Sequence, residues 1–364
     1  MTLSIDNVLV ALSKVIEPEK KKDLVTLEMI KELQVEANKV SFTLVLPSPN
    51  CPYKEGLRRA CIKAIKEHFG DQTESEIVFQ SPSRKVEVGV KNDLLPDVQH
   101  VIAVASGKGG VGKSTVASNL ALSLAAKGAS VGLVDADIYG PSIPLMFDAA
   151  DKELTSVEEN GKVTVLPLKQ YGISIMSIGF FVDASRALIW RGPMASGALK
   201  QLFTDVKWGA LDYLIIDLPP GTGDIHLSIV QTLKLSGIVV VSTPQEVALA
   251  DARKAVSMFD NPKVGVKILG MIENMAWFTP AELPENRYYI FGQGGCRKLA
   301  EEMDVPFLGE IPLIQGVRES GDKGHPAVLN SNNPAGKFFE GIAENLIHEI
   351  EWIKKDKKKA LLNN

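Results

Sequence analysis

An α/β fold, with a mostly parallel sheet flanked by helices and preceded by a small α/β N-terminal domain, is predicted for this 364-residue chain by three observations. Short apolar runs alternate with helical patterns from about residue 100 onward, as buried parallel strands and their crossover helices do. A glycine-rich stretch, Gly-Lys-Gly-Gly-Val-Gly-Lys-Ser-Thr at 107–115, stands between one such run and the helix after it. Aspartates close later runs, at Asp135, Asp137 and Asp217, at the strand ends where ligands of such sheets bind.

Residues 1–80 read as the small domain, with helical segments at 5–15 and 27–33, a strand at 40–46, a helix at 54–68 and a closing strand at 76–79. The polar stretch 81–99 contains Pro82 and Pro96 and reads as a linker, with a strand at 86–90. The larger domain spans 100–352, with strands expected at 101–105, 131–134, 213–216, 238–241, 268–272 and 307–308. The lysine-rich segment 353–364 reads as a frayed basic tail.

With 45% hydrophobic and 23% charged residues the chain can bury a sizeable core. A net charge of −4 gives no reason to expect nucleic-acid binding, and the five histidines are scattered. No apolar run approaches membrane-spanning length and the first residues lack a basic-then-apolar leader, so a cytoplasmic protein without membrane contact is expected. Three cysteines, Cys51, Cys61 and Cys296, are too few and too irregular for a disulfide framework.

The segment 107–115 follows the strand at 101–105 and opens a helix at 114–126, closed by Gly128. Gly107, Gly109, Gly110 and Gly112, with Val111 between them, let successive backbone N–H groups turn toward phosphate oxygens. The helix N-terminus adds its dipole. Lys113 can reach the β- and γ-phosphates, and the hydroxyl of Ser114, next to Thr115, can ligate magnesium. This is the signature of a P-loop NTPase. Lys108 is not required by that motif. It is either a solvated surface lysine or a cation laid over the phosphates of a second subunit, as an arginine finger is.

The segment Val134-Asp135-Ala136-Asp137-Ile138-Tyr139-Gly140-Pro141-Ser142 sets two carboxylates beside the loop, which either cap the following turn or serve magnesium and the attacking water. Asp217, at the end of a buried run and before Pro219-Pro220-Gly221-Thr222-Gly223-Asp224, fits a carboxylate that accepts from magnesium-bound water. Asp224 is left as a loop or helix cap. Asn274 has an amide able to donate to and accept from an adenine edge, or is a satisfied loop residue. Residues 243–246 end another strand and are a second candidate for the base.

The loop resembles the deviant phosphate loops of the Mrp, septum-positioning, chromosome-partitioning and nitrogenase-reductase ATPases. With Tyr139-Gly140-Pro141-Ser142, Arg191-Gly192-Pro193-Met194, residues 217–224 and Glu273-Asn274-Met275, the chain closely resembles the Mrp/ApbC-type iron-sulfur cluster carrier ATPases over about 100–350. Residues 1–80, through Glu17-Pro18, Asp23-Leu24-Val25 and Cys51-Pro52, resemble the small iron-sulfur assembly domain often fused ahead of them. The resemblance implies an ATP-hydrolysing, magnesium-dependent homodimer, with Lys108 acting across it, Asp137 positioning water and Asp135 in the magnesium shell. It also implies transfer of iron-sulfur clusters to apo iron-sulfur proteins in company with assembly factors.

One departure bears on the cargo. Many members carry Cys-x-x-Cys soon after the Asn-Met stretch, where four thiolates from two subunits can bridge a cluster. This chain reads Trp277-Phe278-Thr279-Pro280-Ala281-Glu282-Leu283-Pro284. Cys296 either meets its symmetry mate in a dimer or fills a tight loop. Cys51 is either a ligand or transfer thiol or a structural one. Cys61 is expected in the core. Arg191 has no assigned role. The alternative to a carrier is an ATP-dependent dimeric switch of the same family that binds no cluster.

Overall fold

The computed structural model describes residues 3–18, 21–27, 29–36, 38–46, 53–70, 72–80, 94–159, 161–181, 192–262 and 264–362. The chain divides into two compact units, Met1–Val90 and Lys91–Asn364. The first comprises α1 (Ile5–Leu12), β1 (Ile30–Glu36), β2 (Lys39–Val45), α2 (Lys54–Phe69) and β3 (Glu74–Gln80). Ser4 caps α1 by accepting from the Asn7 amide. β2 pairs antiparallel with β1 and parallel with β3. Val8, Leu12, Leu24, Phe42, Leu44 and Ile65 form this unit's own core.

The helix expected at 27–33 is instead the strand β1. Its register slips between Lys31 and Gln34, and Glu32 sits at φ +51°. This bulge breaks the strand's alternation, so Ile30 and Leu33 reach the core at a helix-like spacing of three.

The second unit runs β4 (Val98–Ala105), α3 (Lys113–Ala126), β5 (Val131–Asp135), α4 (Ile143–Met146), β6 (Ser156–Glu159), β7 (Lys162–Val165), β8 (Leu168–Gln170), β9 (Ile173–Ser177) and α5 (Gly192–Thr204). It continues with β10 (Leu211–Asp217), α6 (Asp224–Thr232), β11 (Gly237–Ser242), α7 (Glu246–Asp260), β12 (Ile268–Phe278), α8 (Gly295–Glu302), β13 (Phe307–Leu313), α9 (Gln315–Asp322) and α10 (Ala335–Leu362).

Eight strands form one sheet in the order β13-β12-β11-β4-β10-β5-β9-β8, parallel except for the β8–β9 pair. Both faces are covered. Leu199, Ile229, Val256 and Leu299, from α5 to α8, pack on one. Leu120 and Leu124 of α3 with Phe339 and Leu346 of α10 pack on the other. Each such side chain contributes about 1.5–3 kcal/mol when fully buried. No helix among the described residues is long and apolar enough to cross a membrane.

Several expected boundaries move. β4 begins at Val98, and Leu94 and Leu95 already pack into the second core, so the linker does not extend to 99; the strand expected at 86–90 lies outside the described residues. β12 continues past 272 to Phe278, because Glu273 and Asn274 pair with Glu310 and Ile311 of β13 despite their polarity. The tail is not frayed from 353. α10 runs to Leu362, with Ile353 packed on the core and Lys267 over the Trp352 ring at 4.9 Å.

Candidate active site

The loop between β4 and α3 sits at the carboxyl rim of the sheet. Gly110 and Gly112 take φ of +83° and +82°, which side chains oppose. Close approach constrains two glycines further. A Cβ at Gly107 would lie 2.2 Å from the Asp251 carbonyl carbon in α7, and one at Gly112 would lie 2.2 Å from Asn274 Nδ2. The Ser106 hydroxyl donates to the Lys108 carbonyl at 3.1 Å. Lys108 itself is exposed.

Parallel register fixes the carboxylates. Asp217 of β10 pairs with Asp135 of β5 and with Val104 of β4, so both acids arrive beside the loop. Lys113 Nζ donates to Asp217 Oδ1 at 2.6 Å and lies 3.7 Å from Asp137 Oδ2. Burial pushes the Asp217 carboxyl up and the Lys113 ammonium draws it back. Its second oxygen, Oδ2, is buried without a hydrogen-bond partner. Asp137 Oδ1 accepts from the amides of Tyr139 and Gly140, which turns the chain and leaves Oδ2 toward Lys113.

Asp135 lies beside Asp217 at the strand ends. It is fully buried, Oδ1 accepts from the Asp137 amide, and Oδ2 accepts from the Ile143 amide and the Ser177 hydroxyl. Burial and then the charge of Asp217 push its carboxyl up to about 7. These three bonds anchor the turn after β5.

Asn274 Nδ2 donates to the Val111 carbonyl at 2.8 Å, so one N–H of its amide supports the phosphate loop. Met275 beside it is left-handed, at φ +57°. Residues 243–246 lead into α7, which begins at Glu246, and Pro244 lies against Gly295, whose Cβ would come 2.9 Å from the Pro244 carbonyl oxygen. Asp224 is the first residue of α6, where its charge favours the helix N-terminus.

Two contributors escaped the sequence reading. Ser177, from the unpredicted strand β9, donates to Asp135. His226 in α6 has Nε2 at 2.9 Å from the Pro219 carbonyl, and burial holds it below the usual histidine range. A carbonyl only accepts, so Nε2 carries the proton and the ring is neutral near pH 7. It pins the Pro219-Pro220 turn after Asp217. Nothing in the sequence distinguishes His226 from an ordinary core histidine.

A cavity of about 400 Å³ opens over these groups, lined by loop residues 108–110 and 112–115, by Asp137, Ser142, Leu145, Met146 and Pro220, and by Val317, Arg318, Gly321 and Asp322 of α9. A glycine-rich loop on a helix N-terminus, with a buried lysine and carboxylates from two adjacent strands, defines a nucleotide-binding P-loop NTPase.

The cysteines do not join this site. Cys61 is in the first unit's core, its thiol pushed up to about 12 by burial. Cys296 is 0% exposed, packs in the second unit's core and sits 3.9 Å from the Thr243 carbonyl, and burial raises its thiol strongly. Of the two readings of Cys296, its burial in the first turn of α8 supports the structural one over a cluster ligand meeting its symmetry mate. Cys51 and Arg191 lie outside the described residues.

Residues 97–347 match the family described as NUBPL iron-transfer P-loop NTPase, and residues 5–75 match an iron-sulfur cluster assembly protein family. The chain belongs to the NUBPL iron-transfer P-loop NTPase family. It is 43% identical over 357 residues to the iron-sulfur cluster carrier protein of Synechocystis sp., covering 96% of this chain and 98% of that one. It is 45% identical over 263 residues to the iron-sulfur cluster transfer protein NUBPL of Dictyostelium discoideum, covering 72% and 80%. Among solved structures, an Archaeoglobus fulgidus nucleotide-binding protein in complex with ADP superposes with a TM-score of 0.58 at 37% identity, covering 68% of this chain and 96% of that one.

Proposed function

We propose that this chain is a magnesium-dependent ATPase that works as a homodimer in the cytoplasm and carries iron-sulfur clusters to apo iron-sulfur proteins. The observation that carries this reading is the placement of Lys113 between Asp217 and Asp137 under the phosphate loop. Phosphate oxygens take over Lys113 from these carboxylates, and the amides of 109–113 complete the cradle. Ser114 and the unpartnered Oδ2 of Asp217 suit magnesium, a hard cation that takes oxygen ligands directly or through water. When bound, it neutralises charge between the β- and γ-phosphates. Asp137, at the cavity wall, orients the attacking water. Lys108, exposed at the rim, stabilises charge developing on the partner subunit's nucleotide.

The cluster is cargo. With Cys61 and Cys296 in cores, Cys51 is the candidate thiolate, contributed once by each subunit. Burial of both other cysteines, with no Cys-x-x-Cys at 277–284, also supports a second reading, a dimeric ATP switch that binds no cluster. Anaerobic reconstitution separates them. Wild type and Cys296→Ala should retain iron and sulfide per dimer, and Cys51→Ala should lose both. Iron at background in wild type would remove the carrier reading and leave the switch.

A further inference from the structure

Arg318 belongs to α9, outside every segment that the sequence ties to phosphate chemistry, yet it lines the same cavity as Lys113, Ser114 and Asp137. Its guanidinium is engaged within its own helix: Nη1 donates to Asp322 Oδ2 at 2.9 Å and Nη2 to Glu319 Oε1 at 3.3 Å. All three side chains are exposed, at 65%, 61% and 39%, and exposed pairs of this kind are weak and readily exchanged.

The helix that holds Arg318 is seated through half-buried side chains, Val317 among them. α9 buries none of its residues. A second cavity of about 380 Å³, lined in part by Gly316, Glu319, Ser320 and Lys323, lies against it as well. The chain is fastened just after the helix, where the Tyr171 hydroxyl donates to the Gly324 carbonyl at 2.9 Å and a Cβ on Gly324 would meet Asp148 at 2.6 Å. An element held by half-buried rather than fully buried contacts can shift at modest cost.

Charge supplies the reason for it to do so. Lys113 already faces two carboxylates, and a nucleoside di- or triphosphate brings several further negative charges into the cavity. A guanidinium matches phosphate oxygens with a planar fork of donors, which a lysine cannot.

We propose that Arg318 is a nucleotide-contacting residue supplied in cis: phosphate oxygens displace Asp322 and Glu319 from its guanidinium, and α9 closes over the bound nucleotide. The proposal rests on the reading of this cavity as the ATP site.

The test is titration of the full chain with ADP and ATP, with KM and kcat measured beside it. Arg318→Ala should weaken both nucleotides about tenfold or more, raising KM while kcat stays within about twofold. Arg318→Lys should recover part of the loss. Asp322→Asn releases the same guanidinium and removes a charge from the cavity wall, so it should tighten binding more in wild type than in the Arg318→Ala background, a coupling that damage to the fold would not produce. Affinity in Arg318→Ala within about twofold of wild type, or an equal gain from Asp322→Asn in both backgrounds, would overturn the proposal. Failure of wild type to bind nucleotide at all would instead remove the underlying ATP reading.

Discussion

Lys108 and Lys113 occupy the same loop and have opposite surroundings. Lys113 is buried and paired with Asp217, whereas Lys108 is exposed and makes no ion pair among the described residues. A cation that serves its own nucleotide should affect binding; one that serves a partner's should affect turnover. Lys108→Ala is therefore expected to lower ATP hydrolysis by about 100-fold or more while ADP affinity is kept, and normal turnover in that variant refutes the trans role. The buried acids give a pH signature. The Asp135 carboxyl is raised from 3.8 to about 7, so the folded chain holds a proton that the unfolded chain has released. The stability from this group is complete below its ordinary value and is lost as pH rises through about 7. Denaturation at pH 5.5 and pH 8 should show a larger loss in wild type than in Asp135→Asn; equal losses would mean that Asp135 ionises as freely as an exposed carboxyl.

The phosphate loop works as an element because two other elements are pressed against it, α7 at Gly107 and β12 at Gly112. Adding a methyl group separates these packing effects from backbone strain. Gly110 is left-handed but faces open space, so Gly110→Ala should cost about 1–2 kcal/mol, the left-handed penalty alone. Gly107→Ala drives a Cβ into the backbone of Asp251 and should cost about 3 kcal/mol, the upper range of overpacking, and open the loop as well. Calorimetry with and without ADP distinguishes them; a lower Tm in the alanine variant of Gly110 than in that of Gly107 would reverse the ranking. The loop, its strand and its helix were legible because they are local and their glycines have a physical reason in the sequence. Asp217 was legible for a similar reason, as a charge ending an apolar run. β1 was not, because a bulge at Glu32 gave its apolar residues helical spacing. The Asn274 bond to Val111 was not legible because the two lie far apart along the chain, and Ser177 and Arg318 meet the site only through tertiary packing.

At the scale of the whole molecule, chemistry divides between the two units. Every group assigned to nucleotide, from Gly107 to Arg318, lies within residues 91–364, whose two sheet faces have their own cores. The candidate cluster thiol Cys51 lies in residues 1–90, which bury Val8, Leu12, Phe42 and Ile65 among themselves. Two such cores, each closed on its own residues, can fold without one another. The fragment 91–364 is therefore expected to unfold cooperatively and to gain the same stabilisation from ADP as the full chain, about 2.7 kcal/mol at 100 times Kd. The same fragment should retain no iron or sulfide after anaerobic reconstitution. Thermal denaturation across ADP concentrations and metal analysis of one preparation read both halves of this claim. A fragment that unfolds cooperatively but ignores ADP would place part of the nucleotide site in residues 1–90. A fragment that holds as much cluster as the full chain would free Cys51 of its role and return the search for ligands to the ATPase unit.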